Sequence, residues 1–191
     1  INIGYNPSLT SLSGLAALTT VGGGFDILAN PMITSLSGLS ALTSIGDYLT
    51  IYDNLFLASL SGLNALTTVG GNLSIDSNAS LASLSALSAL TTFGGNVRIY
   101  GNNSLVNLSG LDAITTVASC DISNNSLLTS LSALSALTTV GGNLNIYENP
   151  SLASLSGLGA LTTIGGGLNI INNSSLTSLS GLAALTTVGG G

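Results

Sequence analysis

Groups able to do chemistry are scarce in this chain. Its 191 residues hold seven carboxylates, one guanidinium, one thiol and no imidazole. The acids are Asp26, Asp47, Asp53, Asp76, Asp112, Asp121 and Glu148; the base is Arg98 and the thiol is Cys120. Glycoside hydrolysis needs two carboxylates across one cleft. Covalent catalysis needs a nucleophile beside a base. Neither set assembles from these positions, so the expectation is a chain that is not an enzyme, with no catalytic residue, no cofactor and no metal centre. Asp47, Asp53 and Asp76 come nearest to a Ca²⁺ cluster, but they lack an EF-hand or nonapeptide spacing. Arg98 and Asp76 fall on adjacent repeats and predict a surface ion pair worth little.

The net charge of −6 reflects missing bases, not an acidic tail. Nucleic acid is excluded as a partner, because nothing neutralises phosphates. No run of apolar residues is long enough to cross a bilayer, so no membrane insertion is expected. Cys120 has no second cysteine to pair with; it reads as a small core residue, with an intermolecular disulfide as the competing reading.

Two side-chain sets could meet a partner. Tyr5, Tyr52, Tyr100 and Tyr147 recur on alternate repeats, with Glu148 beside the last. Such a row could hold a glycan or a neighbouring filament; plain strand-compatible surface residues are the competing reading. Glycosylation sequons occur at Asn72, Asn78, Asn102, Asn107, Asn124, Asn172 and Asn173. Asn72, Asn107, Asn124 and Asn172 are the expected accessible sites, because the other three belong to an inward column.

That column comes from the repeat that must position everything else. Eight copies of one motif span 1–24, 25–48, 49–72, 73–96, 97–119, 120–143, 144–167 and 168–191. The fifth is one residue short. A fixed period of this size signals a solenoid. The chain begins and ends within this pattern, with no cap residues. Within each copy, positions 1 and 3 are apolar and alternate with polar neighbours, which predicts a short strand. Position 6 is always Asn: Asn6, Asn30, Asn54, Asn78, Asn102, Asn125, Asn149 and Asn173. An invariant inward Asn predicts a ladder bonded from coil to coil, with Asn itself taking the tight-turn backbone angles.

Positions 9, 12, 15, 18 and 21 are apolar throughout. A stripe every third residue suits short strands and single helical turns rather than one long helix. Ser-Gly-Leu-x-Ala-Leu predicts one helical turn, with the invariant Ser at position 13 as its N-cap. Thr-Thr-Val predicts a second strand whose two Thr side chains point to opposite faces. Gly-Gly makes the corner back to position 1. A single coil cannot bury enough apolar surface to offset its backbone ordering, so coils must stack.

The order V-x-x-x-L-x-I-x-x-N-x-x-L, as in Val140 to Leu152, resembles the leucine-rich repeat. With the following L-x-x-L-x-x-L and the Gly-Gly corner, it is most similar to the repeats of receptor L domains and their relatives in large microbial surface proteins. The resemblance covers the whole chain. It implies a mostly β, right-handed parallel β-solenoid, display outside the cell or at its surface, and a binding or structural role. The functional expectation is a non-enzymatic structural or adhesive repeat protein: a segment of a fibre, stalk or head-to-tail filament. Its partners would be further repeats of the same chain or other copies end to end, and possibly glycans. An ice-binding solenoid and a receptor-like domain for glycans or proteins are the alternatives.

Overall fold

A computed structural model describes residues 1–190; Gly191, the last residue of the eighth repeat, lies outside the described residues. The chain is a parallel β-solenoid of eight coils. The first strand of each coil joins one front sheet. Its strands are β1 (Asn2–Gly4), β2 (Phe25–Leu28), β3 (Leu49–Tyr52), β4 (Leu73–Asp76), β5 (Val97–Tyr100), β6 (Cys120–Ser123), β7 (Leu144–Tyr147) and the end of β8 (Thr163–Ile171). Every pairing is parallel and in register, so Ile3, Ile27, Ile51, Ile75, Ile99, Ile122, Ile146 and Ile170 form one column. The missing residue of the fifth coil therefore does not disturb this sheet.

The core is the seven apolar positions of each coil. In the second coil Phe25, Ile27, Ile33, Leu36, Leu39, Leu42 and Ile45 are all fully buried. The Asn column forms the expected ladder, and Asn30 to Asn149 are fully buried. Each buried Asn Oδ1 accepts the backbone N–H of the Asn one coil below, as Asn102 Oδ1 does from Asn78 at 3.1 Å. Each Nδ2 donates back to the position-3 carbonyl of that coil, as Asn102 does to Ile75 at 2.7 Å. Thus one side chain satisfies two backbone groups that the turn would leave buried and unpaired.

The tight-turn angle lies one residue earlier than expected. Position 5 is left-handed in every coil: Tyr5, Ala29, Asp53, Ser77, Gly101, Asn124, Glu148 and Asn172 have φ between 50° and 68°. Only one of these is glycine. The turn is imposed by the ladder that follows it, which holds a costly backbone angle in place.

The helical turn is 3₁₀ and occurs in six coils: Ser13–Leu15, Ser37–Leu39, Ser85–Leu87, Ser132–Leu134, Ser156–Leu158 and Ser180–Leu182. The N-cap expectation for position 13 fails. That serine is already inside the helix, and the capping position is an inward Leu with no side-chain bond. The serine two residues upstream acts instead. Ser154 Oγ accepts the N–H of Ser156 at 3.1 Å, and Ser11, Ser59, Ser83, Ser130 and Ser178 repeat the contact. In the fifth coil Asn107 Oδ1 takes that place.

The third and fifth coils have no 3₁₀ turn. There Gly62 and Gly110 swing to φ +114°. Their N–H groups donate to Asn64 Oδ1 at 3.2 Å and Asp112 Oδ2 at 2.8 Å. The carbonyl or carboxylate oxygen of an Asn or Asp two residues after the glycine captures its N–H, and that competes with the helical turn.

The Thr-Thr-Val segments form a back sheet of two blocks. Thr20–Val21, Ser44–Ile45, Thr68–Val69 and Thr92–Phe93 pair in one. Thr116–Val117, Thr139–Val140, the start of Thr163–Ile171 and Thr187–Gly190 pair in the other. The break follows from the fifth coil. At the corner, glycines stack so closely that a Cβ on Gly94 would lie 2.0 Å from the Gly70 carbonyl oxygen. Ala118 brings a Cβ into this column. Its N–H donates to Gly95 O at 3.0 Å, whereas Gly94 N–H reaches Val69 O. The acceptor has moved two residues along the coil below, from the place of Phe93 O to Gly95 O.

Candidate functional site

The outer face of the front sheet carries side chains at positions 2, 4 and 5. In register, the position-4 column reads Leu28, Tyr52, Asp76, Tyr100, Ser123, Tyr147 and Ile171. Tyr52, Tyr100 and Tyr147 therefore stand on alternate strands, roughly 10 Å apart. Tyr5 does not join them. It occupies the left-handed position 5, is 75% exposed, and borders a separate apolar hollow with Pro7, Pro31 and Leu55. The aromatic row thus has three members, with Glu148 directly after Tyr147.

Two of the rings are held. Arg98 lies over Tyr100 at 4.9 Å from the ring centre, and its Nε is 3.4 Å from Asp76 Oδ2. The expected Arg98–Asp76 pair forms, but Asp76 is sunk in the sheet at 8% exposure. Burial pushes its pKa up, against the opposing pull of the Ser74 hydroxyl bond and Arg98. Tyr147 donates its hydroxyl proton to Asn145 Oδ1 at 2.9 Å. Between these rings, Asp121 accepts a hydrogen bond from Ser123, whose side chain is buried. The result is a furrow of about 350 Å³ running from Arg98 and Tyr100, over Asp121 and Ser123, to Tyr147 and Glu148.

The other acids stay apart. Among the described residues no three His, Cys, Asp or Glu side chains gather into a metal-binding group. Asp26 accepts from the Tyr48 hydroxyl at 3.1 Å. That bond, with the adjacent negative charge, pushes the phenol's pKa up. Asp112 is spent on the turn at Gly110. Among the described residues no helix is long and apolar enough to cross a membrane.

Cys120 is inward at position 1 and buried, and the apolar surroundings push its pKa up to about 12. The core reading follows, since a thiolate is what reacts. A disulfide-exchange reagent should label the native chain about a hundredfold or more slowly than the chain in denaturant. Equal rates in the two states would contradict this burial.

Asn72 and Asn172 are exposed, and Asn107 and Asn124 are half-buried. Asn72 Oδ1 accepts from Asn96 N–H at 2.9 Å, and Asn107 caps Ser109, while Asn124 and Asn172 occupy left-handed turn positions. Asn78, Asn102 and Asn173 are buried in the ladder as expected.

The two Thr columns differ from expectation. Both reach the surface, because the strand covers only the second Thr and the inward Val. The first Thr precedes it, outside the alternation. Its hydroxyl donates to the Thr carbonyl one coil below, at 3.0 Å for Thr43 to Thr19 and 3.2 Å for Thr162 to Thr138. Fold and surface together define a parallel β-solenoid repeat protein with one variable and one hydroxyl-lined face. Comparison of the chain with protein-family models, with curated proteins and with solved structures finds no match.

Proposed function

We propose that the chain is a non-enzymatic structural repeat protein of leucine-rich-repeat type, a segment of an extracellular fibre, stalk or head-to-tail filament. One observation carries the reading: each coil presents to the next the same strand, Asn and apolar stripe, in register, so the stack can be extended by further coils. An Asn6 from another copy would accept from Asn173 N–H and donate to Ile170 O, repeating the inner contacts in register. The consensus order of strand, Asn ladder and apolar stripe supports the leucine-rich-repeat assignment.

Sedimentation and electron microscopy over a rising concentration series test this. Rods that lengthen with concentration, in steps of about 38 Å, are expected. Leu168→Lys places a charge on the end face and should abolish them. Monodisperse short particles throughout the series would remove the filament reading.

The exposed Thr pairs favour a second reading, an ice-binding face. Each block offers two hydroxyl columns repeating at the strand spacing of about 4.8 Å. Thermal hysteresis at millimolar protein is expected, lost in Thr162→Tyr at the middle of the second block. Zero hysteresis would dismiss it.

A further inference from the structure

We propose that the outer face of the front sheet binds a neutral polysaccharide laid along the solenoid axis, with Tyr52, Tyr100 and Tyr147 as stacking platforms. The site is independent of end-to-end stacking, since it lies on the side of the rod.

Geometry comes first. The three rings recur every second strand, roughly 10 Å apart. That interval is close to the length of one disaccharide in an extended glycan. The residues between them, Asp76 and Ser123, are sunk at 8% and 3% exposure, so the rings stand clear of a low floor. The furrow of about 350 Å³ fills the interval between Tyr100 and Tyr147. Aromatic faces suit the C–H faces of sugar rings, which are apolar on one side and hydroxylated at the rim. Rim hydroxyls would meet Asp121, Glu148 and the amides of Asn124 and Asn172, all of which border the furrow.

Other ligand classes fit poorly. Inner strands of this sheet are paired on both sides, so a peptide cannot add as a strand here and its backbone groups would lack partners. Anionic polymers meet Asp53, Asp76, Asp121 and Glu148 on this face, against Arg98 alone, which Asp76 already pairs. A neutral polyol avoids that repulsion. Two of the three platforms are also preorganised: Arg98 holds Tyr100 and Asn145 holds Tyr147, so little side-chain freedom is lost there on binding.

Calorimetric titration with soluble neutral oligosaccharides tests the proposal, using cello-, xylo- and manno-series from disaccharide to hexasaccharide, with a polyuronate as the anionic comparison. Affinity should rise with chain length in at least one neutral series as the ligand reaches successive rings. Tyr147→Ala should weaken binding roughly tenfold, whereas Tyr147→Phe keeps the platform and most of the affinity. Tyr5→Ala, off the row, should leave binding unchanged. Circular dichroism confirms that each variant is folded. Absence of binding by every neutral series at millimolar ligand, equal loss in Tyr5→Ala, or preference for the polyuronate would each overturn it.

Discussion

Asn102→Ala is expected to destabilise the chain by about 3–5 kcal/mol, a large share of the stability of an ordinary domain. The substitution removes an acceptor from Asn78 N–H and a donor from Ile75 O, both buried between the fourth and fifth coils. Leaving such groups unpaired costs about 1–3 kcal/mol each. The position matters as much as the chemistry. The back sheet is already interrupted at this junction, so the front sheet and the Asn ladder hold the two halves together. Losing the ladder here should also split urea unfolding into two steps. Asn54→Ala, where the back sheet is continuous, should cost a similar amount but leave one transition. Asn6→Ala should cost less than about 1 kcal/mol, because its Oδ1 holds nothing and the residue is exposed.

Asn102→Asp adds a pH test. At neutral pH a carboxylate would face Ile75 O and Tyr100 O with no proton to give, and burial raises its folded pKa. A proton restores a donor, so the variant's stability should be greatest below the unfolded value of about 4 and fall as pH rises through the folded pKa. Equal costs for Asn102→Ala and Asn6→Ala would mean that the ladder contributes nothing specific.

The period, the apolar stripe, the parallel stacking and the ladder are legible in the residues, because each copy repeats the same apolar spacing and Asn. What the consensus hides lies in its exceptions. Asn64 and Asp112 look like scattered polar substitutions at position 16, yet each rewrites its turn by capturing a glycine N–H. The signal is an Asn or Asp two residues after Gly; Ser40, at the same place after Gly38, leaves the 3₁₀ turn intact. The break in the back sheet is marked by Ala118 in a glycine column, beside the missing residue. The cap at position 11 is masked by its invariant neighbour at position 13, which is the more regular residue and carries no cap bond. Tyr5 shares the alternate-repeat spacing of the other tyrosines, but it stands at position 5, in the left-handed turn just past the strand, and so lies off the position-4 row. The outer face itself is legible as the variable part of the motif, but its furrow depends on small residues falling between tyrosines two coils apart in the chain.

Gly157→Ala should cost about 3 kcal/mol or more, for a reason that separates it from most glycine substitutions. Its backbone angles are ordinary, but a Cβ there would lie 1.8 Å from Leu131 O and 2.2 Å from Leu131 C. These are backbone atoms of the coil below, and they cannot rotate away. Gly38 and Gly181 meet the same obstacle at 2.1 Å and 2.0 Å. Gly14 has nothing within 4 Å, so Gly14→Ala should be neutral or slightly stabilising, by up to about 1 kcal/mol. Yet the same position is naturally Ala86 in the fourth coil and Ala133 in the sixth, both buried. Each lies above a coil whose glycine has swung to φ +114°, the third and the fifth. The swung turn and the alanine above it are thus one device, and Asn64 and Asp112 set it. Asp112→Ala releases Gly110 N–H and lets the turn revert toward 3₁₀, which brings the carbonyl of Leu108 against Ala133. Ala133→Gly removes that conflict. The Asp112→Ala cost should therefore fall in the Ala133→Gly background, with a coupling of about 0.5–3 kcal/mol in a double-mutant cycle by urea denaturation. Strict additivity would show that the two positions vary independently and that the pairing of swung turn with alanine is coincidence.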